Sequence, residues 1–185
     1  HRHFLCQLKS QLILGQPPVP SGGTIEGAES DSSLGSAYAD YLEGRYNEAI
    51  SAFDALMKRA PNTTAGRRAL AFAVNCLSRL GREEEIASLL EAVAGNLAGT
   101  GVALLANHFL AGELTKKGEY DRAAARLKYV TGNVGSEEAK HALYDLIMLH
   151  RHVHNNQVNA REYLADLEKL YPGDIVTIPR CRRDP

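Results

Sequence analysis

The chain has no tryptophan, only three cysteines and seven prolines among 185 residues, and a formal charge of −1 at pH 7. Each scarcity removes a class of protein. Cys6, Cys76 and Cys181 are an odd number at no regular spacing, so neither a disulfide framework nor a cysteine metal knuckle is expected. Cys76 falls within an apolar helical run and reads as a small core residue. A net charge near zero supplies no global field towards nucleic acid or an anionic membrane, and neither is expected as a partner. No apolar run approaches the ~20 residues of a membrane span, so membrane insertion is not expected. The opening residues do not resemble a signal peptide, and the chain starts at His1 without methionine; it reads as a piece of a longer protein. Compartment and oligomeric state stay open.

What is present is a helix-forming mixture. Hydrophobic residues make up 44% and charged residues 23%, a globular balance. Ala and Leu dominate, with many Glu, Lys and Arg, all good helix formers.

The strongest signal is a period. Gly44, Gly81 and Gly118 stand 37 residues apart, and Asn155 follows after 37 more. Gly and Asn most readily take the left-handed conformation that closes a helix. Five residues beyond each stand Ala49, Ile86, Ala123 and Ala160; then come Phe53, Leu90, Leu127 and Leu164, and then Leu56, Val93, Val130 and Leu167. Apolar spacing by four and three marks one face of a helix. Seven residues ahead of each turn stand Ala37, Val74, Ala111 and Met148, where small or apolar packing residues are needed. Pro61 and Pro172 end the first and last units, 111 residues or three periods apart. The expected helices are 33–43 with 47–60, 65–80 with 83–95, 102–117 with 120–131, and 137–154 with 157–171. Loops between units carry Pro61-Asn62, Gly99 and Gly101, and Gly132 to Ser136, all turn chemistry.

On these residues the chain resembles the tetratricopeptide repeat family. The first unit carries its second-helix pattern as Gly44-Arg45-Tyr46-Asn47-Glu48-Ala49-Ile50, then Phe53, Leu56 and Pro61. The third carries Gly118-Glu119-Tyr120-Asp121-Arg122-Ala123-Ala124, and the fourth Ala160, Tyr163-Leu164, Leu167 and Tyr171-Pro172. The resemblance covers about residues 31–172. Its departures are a period of 37 against the family's roughly 34, no closing proline in units two and three, and few early aromatics. It implies an all-α, right-handed solenoid of about four antiparallel helix pairs, with repeats near 31–62, 65–98, 102–135 and 137–172. Residues 1–30 are expected as an N-terminal stub (Phe4, Leu5, Leu8, Leu12) and a Pro/Gly-rich linker, and 173–185 as a basic tail.

Other chemistry is sparse. His150 and His154 lie four apart, but no carboxylate or cysteine completes a metal set. Histidine at the end of a helix, favoured there by the dipole when protonated, is the expected reading. Glu83, Glu84 and Glu85 suit the start of a helix for the converse reason. Asn62-Thr63-Thr64 matches a glycosylation acceptor. No nucleophile elbow, phosphate loop or Cys-x-x-Cys pair occurs, so no enzyme activity, cofactor or metal is expected.

In proteins of the resembled family the first helix of each pair lines a concave surface that holds a peptide or partner helix. Carried onto this sequence, that groove holds Tyr38, Tyr41, Arg68, Asn75, Arg79, His108, Lys116, Asp145, Leu149 and His152. Its mixed aromatic, amide and basic character suits a peptide with an acidic or carboxylate end. The Lys/Asn/Arg set of the family's chaperone-tail clamp is not reproduced. The resemblance therefore implies a protein-interaction scaffold. The alternatives are a structural spacer or assembly segment of a larger protein, such as one at a bacterial cell surface, and the docking region of an enzyme or regulator whose active domain lies outside this chain.

Overall fold

The computed structural model describes residues 25–172. The N-terminal stub, the Pro/Gly linker and the basic tail lie wholly or mostly outside them. The described residues form eight helices and no strand: α1 Ile25–Leu42, α2 Tyr46–Arg59, α3 Thr64–Arg79, α4 Glu83–Asn96, α5 Gly101–Lys116, α6 Tyr120–Thr131, α7 Glu137–His152 and α8 Gln157–Leu170. Every boundary but one lies within two residues of its expected place. The exception is the start of α1, at Ile25 and not 33. Its first turns are rich in Gly, Ser and acidic residues, which give no apolar period to read.

The four turns within the pairs share one geometry. Gly44, Gly81 and Gly118 have φ of 77°, 68° and 79°, and Asn155 has 48°, the left-handed closure that their spacing implies. The N–H of Arg45, Arg82 and Glu119 each reaches back five residues, to the carbonyls of Asp40, Leu77 and Leu114, at 2.9 Å. That bond satisfies a carbonyl orphaned by the end of the helix.

The starts of α3, α5 and α7 are also alike. The hydroxyls of Thr63, Thr100 and Ser136 accept from the N–H of Gly66, Ala103 and Ala139, and donate to the carbonyls of Ala60, Leu97 and Asn133. Each cap contributes about 1 kcal/mol.

One core runs from α1 to α5 around Phe53, Leu56, Leu70, Leu90 and Val102; a second joins α5, α6 and α7 around Leu127, Val130 and Leu146. Phe53 and Leu70 are wholly enclosed, each worth roughly 1.5–3 kcal/mol of burial. Cys76 is buried as expected, and burial pushes its thiol up to about 11.

The first helices of successive pairs touch: α1 with α3, α3 with α5, α5 with α7. No two second helices meet to a comparable extent among the described residues. Closer spacing on one side curves the stack towards it, so α1, α3, α5 and α7 form the inner face. The result is an all-helical repeat solenoid.

Candidate functional site

The pairs are not equally tight. α3 and α4 pack against each other far less than the helices of any other pair, while α3 packs extensively on α2. The two columns of closest approach explain the difference. Units one and three place alanine in both, Ala37 with Ala49 and Ala111 with Ala123, and all four are buried. Unit two places Val74 and Ile86 there. These two β-branched side chains occupy more volume than the paired methyls of units one and three, and a packed interface absorbs added volume only by moving backbone.

Beside this pair a cavity of about 370 Å³ opens on the inner face, between α3, α5 and α7. Ala71 and Val74 of α3, Ile86 and Leu90 of α4, and Leu105, Phe109 and Gly112 of α5 give it an apolar interior. Its polar rim comes from Arg67 and Arg68 of α3, His108, Glu113 and Lys116 of α5, and Glu137, Glu138, His141 and Asp145 of α7.

The rim's charges are paired within the protein, with one exception. Arg67 passes over the start of α5 at Gly101, where a Cβ would stand 2.6 Å from its guanidinium, and reaches the buried Glu138 at 3.3 Å. His108 Nε2 lies 2.7 Å from Asp145 Oδ2, a contact between residues one repeat apart. Lys116 pairs with Glu113, and Lys140 with Glu137 at 2.9 Å. Arg68, half-buried, has no hydrogen bond or ion pair among the described residues. His141, exposed on the rim, stacks on His108 with ring centroids 6.3 Å apart. Its pKa is lowered, first by the crowding of protein around it and then by His108.

Of the groove residues expected from sequence, Arg68, His108, Lys116 and Asp145 line this cavity. Tyr38, Tyr41 and Asn75 form a separate cluster towards α1. Tyr41 donates to Asn75 Oδ1 at 3.1 Å, and Tyr38 and Tyr41 both pack on the ring of Phe72, at 5.0 and 5.6 Å between centroids. Arg79 and His152 are exposed and belong to neither group. Leu149 is not on the groove: it is 1% exposed and part of the second core, because its spacing from Leu146 and Ala142 places it on the packed face of α7. Sequence reading missed Arg67, Glu138, His141 and Phe109, and missed the cavity itself. Its signal was in plain view, as Val74 and Ile86 among alanines.

His150 stands in the last turn of α7 as expected, but the structure buries it away from the solvent that a partly protonated ring would need. Its ring is buried, stacks on Tyr163 at 5.5 Å, lies 5.1 Å from the ring of His154, and has no partner on either nitrogen. Its pKa is lowered by burial, then by His154 and Lys128. Among the described residues no three His, Cys, Asp or Glu side chains converge as a metal set would. None of the described helices is long and apolar enough to cross a membrane.

Residues 31–63 match a family model described as tetratricopeptide repeat. No curated protein matches the chain. The match covers the first unit, and the other three reproduce its left-handed turn, its register and its helix pairing. The first unit thus matches a tetratricopeptide repeat, and the described residues as a whole form a helical repeat solenoid of that kind.

Proposed function

We propose that the inner face built by α1, α3, α5 and α7 receives a segment of a partner protein. A helical repeat of this family is in general a protein-interaction scaffold, though the fold names no partner. One observation carries the finer reading. The inner face keeps large, half-buried side chains (Tyr38, Tyr41, Phe72, Arg68, His108) that the solenoid does not fully enclose, and partly exposed aromatics and arginines are the side chains on which interfaces most depend. Tyr38, Tyr41 and Asn75 offer an aromatic and amide end, while Arg68 offers an unpaired guanidinium beside Lys116 and His108.

The test is affinity capture with the full chain, set against an Asn75→Ala, Arg79→Ala, Lys116→Ala triple variant and an outer-face control, Lys128→Ala with Arg161→Ala. Proteins held by the parent and the control but lost by the triple variant are expected. Equal capture by all three removes the inner face as the binding surface and favours a spacer role.

A further inference from the structure

The cavity of the second pair differs in kind from a peptide groove. Its rim lies on the inner face, on α3, α5 and α7, but beneath that rim it runs inward to the core residues Ile86 and Leu90 of α4. An extended peptide brings an amide N–H and a carbonyl with every residue, and each needs a partner once buried. This cavity offers almost none: four of its acid–base pairs are already closed, Arg67–Glu138, His108–Asp145, Lys116–Glu113 and Lys140–Glu137. What remains is an apolar interior of a size usual for small-ligand sites, about 300–1,000 Å³, and one guanidinium, Arg68, without a counter-charge among the described residues.

We propose that this cavity is a binding site for a small aliphatic monocarboxylate, its chain lying between Val74, Ile86, Leu105 and Phe109 and its carboxylate on Arg68. The ligand's demands match the inventory one for one. A single carboxylate accepts a bidentate, charge-assisted pair from a guanidinium, and a saturated chain asks nothing of the remaining polar groups. The site goes beyond the protein-binding reading and does not require it. Units two, three and four all contribute to it, and it shares Arg68, His108 and Lys116 with the proposed protein-binding face.

Decanoate and decanol, each below its aggregation limit, would be titrated into the full chain by calorimetry, with chemical-shift mapping of the bound state. Two variants report on the two halves of the site. Arg68→Gln removes the charge from a side chain with no partner to disrupt. Gly112→Leu fills the cavity from α5, where an added Cβ meets nothing within 4 Å, and leucine is a better helix former than glycine. The expected result is one decanoate per chain with shifts on α3, α4 and α5, weakened about tenfold or more by Arg68→Gln and abolished by Gly112→Leu. Decanol binds more weakly than decanoate and is insensitive to Arg68→Gln. Equal binding of decanol and decanoate, or decanoate binding that survives Gly112→Leu, overturns the proposal. So does a partner peptide that occupies the cavity in its place, undisplaced by saturating decanoate.

Discussion

The second and third helix pairs are written in the same register and built to different tolerances. In the third pair Ala111 and Ala123 are buried and α5 and α6 pack extensively; in the second, Val74 and Ile86 stand at those positions and α3 and α4 pack far less. The two pairs differ at these two positions, and a cavity of about 370 Å³ opens beside the second. A repeat protein tolerates this because each unit is supported mainly by its neighbours. α3 draws its packing from α2 behind it, and α4 from α5 ahead. The pair loosest within itself is held from both sides.

That division of labour gives the largest expected effect. Gly66, near the start of α3, sits against the end of α2: a Cβ there would stand 2.2 Å from the carbonyl oxygen of Ala60 and 3.2 Å from a Val102 methyl. The first of these is backbone and cannot swing aside. Gly66→Ala is expected to cost about 3 kcal/mol or more, measured by urea unfolding at constant slope. The more fully α3 depends on α2, the larger this loss. A cost below about 1 kcal/mol would mean that α3 can shift, and that its seat on α2 is not what holds the open pair.

A smaller effect comes from copying the second pair into the third. Ala123→Ile puts into α6 the residue that unit two carries at Ile86, at a site with 0% exposure. Overpacking of this kind costs about 1–3 kcal/mol. Amide exchange is expected to quicken in α5 and α6 while α3 stays as in the parent. A variant as stable and as protected as the parent would show that side-chain volume in these columns does not set the spacing of the helices.

Most of the fold was legible because it rests on signals local in sequence: a left-handed residue, a face spaced by four and three, a proline at the end. The site was legible only in part. Arg68, His108 and Lys116 were named through their position on the first helices, and all three line one cavity. Arg67 and Glu138 were invisible, since their contact joins α3 to α7 across the glycine at 101, and no periodicity marks a side chain that reaches past a neighbouring repeat. Leu149 was misplaced for a related reason: helical spacing gives a face, but which face is covered depends on the next unit.

The smallest effect separates the second pair from the end of the array by chemistry instead of by size. The second pair encloses no histidine, whereas the fourth unit buries His150 against Tyr163 and His154, with Tyr120 and Lys128 of α6 nearby. Its folded pKa lies below the unfolded value of about 6.5, so the unfolded chain binds the proton more readily. Stability from this group is therefore complete above about pH 6.5 and falls as the pH drops through that value towards the folded pKa. His141 shifts in the same direction and adds to the slope. Unfolding free energy measured from pH 7.5 to 5.5 should decline, and His150→Phe, which keeps a ring to stack on Tyr163, should flatten the decline without removing it. Exchange on acidification should quicken in α7 and α8 before α3. If α3 loosened first, or if His150→Phe left the slope unchanged, the buried histidine would not be the weak point of the fourth unit, and the open second pair would be the weak point of the array under acid as well.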